Sequence, residues 1–99
     1  MDSLSEARSI INETDRAMAA LFVRRMAAGR MAAEYKQAHG LPILDEARER
    51  EVLERNAALI PDEALRPYYR AFLQGLMDLS KDYQRELLAE DAARKEEDR

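Results

Sequence analysis

Residues 4–39, LSEARSIINETDRAMAALFVRRMAAGRMAAEYKQAH, decide the fold of this chain. Read as one helix, they set Leu4, Ala7, Ile11, Thr14, Met18, Leu21, Arg25, Ala28, Ala32 and Tyr35 at alternating steps of three and four. That is the spacing of a seam-forming helix. A helix of about 36 residues, at a rise of ~1.5 Å each, is roughly 54 Å long. A compact domain of this chain length has a radius of gyration near ~13 Å and spans only about 33 Å. The helix outruns its own globule and is expected to find cover on a second copy of the chain. One seam position is wrong for a core. Arg25 stands where an apolar residue belongs, and a guanidinium there needs an anion, because an unpaired buried charge is expensive.

Composition agrees with helices and excludes several function classes. The 99 residues suffice for one small domain, expected to span 1–99. They are 46% hydrophobic, much of it alanine, and 36% charged, with 3 Gly and 3 Pro. That mixture at helical period reads as all-α, and no strand-like alternation or hairpin dipeptide is present. There is no cysteine, so disulfides and thiolate metal sites do not enter. No metal or cofactor is expected. The N-terminal MDSLSEARS lacks the blocks of a signal peptide, and no apolar run approaches a membrane span, so a cytoplasmic location without membrane contact is the expectation. A net charge of −4 counts against a general nucleic-acid binder, which needs a basic face.

Outward from the long helix, three helices per chain are expected. Asp2 and Ser3 are candidate N-caps, with Glu6 three residues after Ser3 as in a capping box. Gly40, with Pro42 just beyond, is placed to stop the helix. Gly29 lies inside it, at a cost of about 1 kcal/mol relative to alanine. It marks either a tolerated glycine or the close approach of another backbone or a ligand. Asp45 can cap a second helix from about Glu46 to Leu59, which Ile60-Pro61-Asp62 breaks. A third helix, with Pro67 in its first turn, runs to about Glu90. Its broad apolar face comprises Leu65, Tyr68, Phe72, Leu73, Leu76, Leu79, Tyr83 and Leu87. Met18, Met26, Met31 and Met77 read as core or near-core filler, and His39 as a surface residue at a helix end. About 91–99 has little to bury and is expected to fray.

Some polar residues do not fit a core. Arg25 and Lys36 are eleven residues apart, about 1100° of helical turn and within about 20° of three full turns, so they share a face. Arg8 lies about 100° off that face by the same count and would more easily serve the pocket of a paired copy. Asp45, Arg48 and Glu49 fall on one face of the second helix, where a solvated salt-bridge face explains them equally well. Ser80 and Gln84 are an i, i+4 pair on a flank of the third helix, and a surface pair is the simpler reading of them.

Taken in order, these residues resemble the all-helical class of chorismate mutases. The first block is L-x-x-x-R-x-x-I-x-x-x-D, here Leu4, Arg8, Ile11 and Asp15. Arg25 follows in FVRRMA and Lys36 in AEYKQAHGLPI. GLPILDEAREREVLER carries Pro42, Asp45, Arg48, Glu49 and Glu51, and LMDLSKDYQRELL carries Ser80 and Gln84. The resemblance covers nearly everything from Leu4 to Leu88.

It implies a Claisen rearrangement of chorismate to prephenate, feeding phenylalanine and tyrosine synthesis, in an intertwined helical homodimer. Arg8 would then reach into the site built mainly by the partner. The implied substrate-binding set is Arg8, Arg25, Lys36, Asp45, Arg48, Glu49, Ser80 and Gln84, with Lys36, Gln84, Arg25 and Glu49 as the implied catalytic residues. Four cations, Arg8, Arg25, Lys36 and Arg48, face two anions, Asp45 and Glu49, leaving a +2 pocket for a dianion in an acidic chain. A pericyclic, unimolecular reaction needs no nucleophile, metal or cofactor. Two alternatives remain open: isochorismate pyruvate lyase of the same fold, and a non-catalytic helical dimerisation or regulatory module.

Overall fold

The computed structural model describes residues 2–98; Met1 and Arg99, the last residue of the expected charged tail, lie outside the described residues. Three helices make up the chain, with no strand among the described residues: α1 (Ser3–Ala38), α2 (Glu46–Ala57) and α3 (Arg66–Glu97). A single 3-10 turn over Glu63–Leu65 leads into α3. The fold is all-α.

Local chemistry sets each boundary. At the start of α1 the cap is Asp2, whose Oδ1 accepts from the Ser5 amide at 2.7 Å. That hydrogen bond holds the Asp2 carboxyl below its ordinary pKa. The Ser3–Glu6 capping box is therefore not the device used. At the other end Gly40 takes a φ of +66°, with His39 as the cap. The Leu41 amide reaches back to the Lys36 carbonyl at 2.8 Å, and the Gly40 amide to that of Gln37 at 3.3 Å. This pairing is a Schellman turn, and only glycine enters the left-handed region without strain. It doubles the chain back toward α1.

Helix α2 is capped by Asp45, whose Oδ1 accepts from the Arg48 amide at 3.0 Å. It stops at Ala57, two residues earlier than the sequence suggests: the Leu59 and Ile60 amides bond back three residues, to the Asn56 and Ala57 carbonyls, so the last turn tightens ahead of Pro61. Helix α3 instead runs on past Glu90 to Glu97. Ala89, Ala92 and Ala93 are strong helix formers, and an Arg94–Asp91 pair at 3.0 Å bridges one turn. Bidentate Arg70–Glu54 hydrogen bonds at 3.2 and 3.3 Å tie α2 to α3.

The three helices form a slab of 64 × 30 × 15 Å with a radius of gyration of 17.8 Å. A globule of this length would have about 13 Å. Among the described residues the buried apolar ones are few: Ala33, Ala57, Leu73 and Met77. Along α1 every residue up to Arg24 is exposed, the seam residues Leu4, Ile11, Met18 and Leu21 included. The expected apolar face of α3 is only partly covered, with Tyr68 75% and Phe72 57% exposed, and Met18 and Met31 are not core in the single chain. The chain presents 7888 Å² of surface, where a globular monomer of its mass presents about 5,800 Å². That excess belongs to an open, uncovered helix layer.

The turn at Gly40 gives a direct check. Gly40→Ala forces a Cβ into the left-handed region and should destabilise the chain by about 1 kcal/mol, read as a lower urea midpoint at unchanged m-value.

Candidate active site

Where the C-terminal half of α1 packs on α3, small residues replace large ones. Ala28, Gly29 and Ala32 lie between Arg25 and Lys36 on one helical face, and beneath them opens a cleft of about 360 Å³. That volume is within the range of small-molecule sites, ~300–1,000 Å³. Its other walls are Ile43 of the α1–α2 loop, Asp45, Arg48 and Glu49 at the start of α2, and Met77, Ser80, Lys81 and Gln84 of α3.

Gly29 is more than a tolerated glycine, but what approaches it is neither another backbone nor a ligand: it is the ends of two side chains. A Cβ built there would stand 2.8 Å from the Ser80 Oγ and 3.1 Å from the Gln84 Nε2. The helices are close enough to bury both side chains, so Ser80 and Gln84 are not the surface pair that periodicity suggested. They satisfy each other: Gln84 Nε2 donates to Ser80 Oγ at 2.9 Å. One amide hydrogen of Gln84 and the hydroxyl hydrogen of Ser80 remain for a ligand.

The cations differ in how they are engaged. Lys36 Nζ donates to the Ile43 carbonyl at 2.9 Å, across the loop that the Gly40 turn folds back. Two of its three hydrogens stay available. Arg25 is half-buried on the same wall. Among the described residues neither Arg25 nor Lys36 has a carboxylate in ion-pair range, whereas Arg48 pairs with Glu51 at 3.0 Å and Lys81 with Glu49 at 2.7 Å. The Arg48–Glu51 pair is more than half exposed and worth ~0–1 kcal/mol, so the guanidinium is easily redirected. Asp45 lines the cleft while capping α2.

Lys81 was not singled out by the sequence reading. It falls four residues after Met77 and three before Gln84, on the face of α3 that meets the cleft, and that spacing was the available signal. Glu49, and then Asp78 at 3.3 Å, raise the Lys81 pKa above its ordinary 10.5, with burial opposing. A raised lysine value means that the charge and its stabilising effect are present below pH 10.5, and are lost only as pH climbs through the folded-state value. Counting Arg25, Lys36, Arg48 and Lys81 against Asp45 and Glu49 leaves one chain's cleft at +2. Arg8 does not line it, being exposed on the uncovered half of α1. His39 also lies apart, stacked on Tyr35 with ring centroids 4.0 Å apart.

A family model described as chorismate mutase type II matches residues 7–85. The chain belongs to this family. Comparison with curated proteins and with solved structures returns no match. The stretch matched to the type II chorismate mutases opens one residue before Arg8 and closes one after Gln84. It takes in every residue of the cleft and leaves out the charged end of α3. No helix of the described residues is long and apolar enough to cross a membrane.

The close approach at residue 29 can be tested by overfilling it. Gly29→Leu should lower stability by about 1–3 kcal/mol in urea unfolding, and a crystal structure of the variant should have the Ser80–Gln84 hydrogen bond broken.

Proposed function

We propose that the chain is a chorismate mutase, rearranging chorismate to prephenate, and that it works as an intertwined homodimer in which Arg8 of each copy enters the cleft of the other. The observation that carries this reading is the pair Arg25 and Lys36, two cations without a carboxylate partner, facing the buried Ser80–Gln84 amide and hydroxyl across a cleft of +2 net charge. A small dianion matches that charge; a polyanion would meet the acidic remainder of a chain at −4.

Chorismate carries two carboxylates and a ring hydroxyl. Arg25, Arg48 and the partner's Arg8 hold the carboxylates, with Ser80 assisting, and so fold the substrate into the compact conformer whose reacting ends are near each other. That orientation supplies part of the acceleration. Lys36 and Gln84 donate to the ether oxygen. Negative charge grows on this oxygen as the C–O bond breaks, so fixed donors bind the transition state more tightly than the substrate. Asp45 and Glu49 accept the hydroxyl. No proton is transferred in the rearrangement, and no cofactor is called for. Prephenate then supplies phenylalanine and tyrosine synthesis, in the cytoplasm.

The uncovered length of α1 supports pairing. The excess of roughly 2,000 Å² over a globular monomer is of the size that obligate dimers bury, ~2,000 Å² and more. Arg8 sits within that uncovered stretch.

Purified protein mixed with chorismate should consume its enol-pyruvyl absorbance and accumulate prephenate. Lys36→Ala and Gln84→Ala should each lower kcat by about 10²–10³-fold, the usual loss for one such donor, with unchanged helical circular dichroism. Because the Gln84 amide does not titrate, kcat should stay level between about pH 6 and pH 8, and a steep fall there would contradict the role. Pyruvate release from isochorismate without prephenate formation would favour the lyase, and no turnover of either would favour a non-catalytic helical module.

Sharing of the cleft has its own test. Arg8→Ala and Arg25→Ala homodimers should both be weak, yet unfolding and refolding them together should restore up to about a quarter of wild-type activity. Half of the mixed molecules would then be hybrids with one intact cleft. No recovery would exclude the crossed contribution.

A further inference from the structure

Among the described residues the ion pair between Lys81 and Glu49 is the most buried; Arg70–Glu54 also joins α2 to α3, but its side chains are 40% and 68% exposed. Arg30–Glu34, Arg48–Glu51, Arg55–Glu51 and Arg94–Asp91 each join side chains on one helix, mostly half exposed or more. Such pairs contribute little. Lys81–Glu49 links α3 to α2 at 2.7 Å, and its side chains are only 15% and 19% exposed. Both line the cleft. Lys81 takes the Oε2 of Glu49, while the other oxygen, Oε1, has only a long 3.4 Å contact from Gln74 Nε2. One carboxylate oxygen is therefore anchored and the second keeps acceptor capacity.

We infer that Lys81 is a positioning residue: it holds Glu49 against α3 so that the second carboxylate oxygen, with the acceptor capacity it keeps, serves the substrate's ring hydroxyl. The inference rests on the mutase reading above. Two physical consequences of the pair recommend it. A carboxylate held by a charge-assisted hydrogen bond loses little further freedom when a hydroxyl donates to it. Without the ammonium, Glu49 would also stand as an uncompensated negative charge in a cleft that must admit a dianion, and the net charge of one chain's cleft would fall from +2 to +1. Asp78, on the far side of Lys81 at 3.3 Å and largely exposed, steadies the ammonium from its own helix. The ring hydroxyl does not change charge during the rearrangement. Contact with it is made equally in ground and transition states, so its loss appears in KM more than in kcat.

A double-mutant cycle tests the inference. Lys81→Met should lower kcat/KM by roughly tenfold, or about 1.4 kcal/mol, chiefly through a raised KM, and Lys81→Arg should restore most of it. In the Glu49→Gln background the same Lys81→Met change should add little to the loss already present, because the group it positions is gone. Circular dichroism melts of all five proteins separate these effects from unfolding. If Lys81→Met cost as much with Gln at position 49 as with Glu, Lys81 would be acting on something other than Glu49 and the inference would fall alone. If the wild-type chain left chorismate unchanged, the mutase reading would fall first and take the inference with it. If Lys81→Met lowered kcat at constant KM, the positioning role would be overturned as well.

Discussion

Gly29 lacks a Cβ, and the space that atom would need, 2.8 Å from the Ser80 oxygen, is already used. This close approach of α1 and α3 is the constraint on which the rest depends. It lets two polar side chains of α3 be buried side by side, joined by one hydrogen bond. It also aligns the one face of α1 that carries two cations with the face of α3 that carries an amide and a hydroxyl. A larger residue at 29 would have to displace the Ser80 and Gln84 side chains, two of the groups that line the cleft.

Electrostatics in the cleft run against the chain as a whole. The protein is acidic, with a net charge of −4, yet it lines a cleft of about 360 Å³ with four cations and only two carboxylates. Such a concentration is costly unless each charge is either paired or left for something that arrives. Arg48 and Lys81 are paired within the chain, while Arg25 and Lys36 keep their charges free of carboxylates among the described residues. A site built this way selects by the sign and number of a ligand's charges before it selects by shape.

The sequence carried most of this and missed the rest for definable reasons. Helical period sufficed for α1 and for the shared face of Arg25 and Lys36, because both are properties of a single helix. Asp45 as a cap and Pro61 as a stop were equally local. The burial of Ser80 and Gln84 was not legible, since it depends on how near a second helix comes, and Gly29 alone did not say what approaches it. Lys81 was missed because its partner Glu49 lies thirty-two residues away on another helix, where no periodicity points. The end of α3 was placed too early. Lack of apolar residues argued for an early stop, but alanine propensity and an Arg94–Asp91 pair keep the helix going to Glu97.

One anchor in the site is made of main chain. Lys36 is steadied by the carbonyl of Ile43, not by its side chain. Any amino acid at 43 offers the same oxygen, so drift in that side chain leaves the ammonium where it is. Control over the lysine passes instead to the path of the loop, and hence to Gly40, where an added Cβ would meet open space and only the left-handed φ bars other residues. Natural variation should therefore run freely at a residue that lines the cleft and be restrained at one that never touches it.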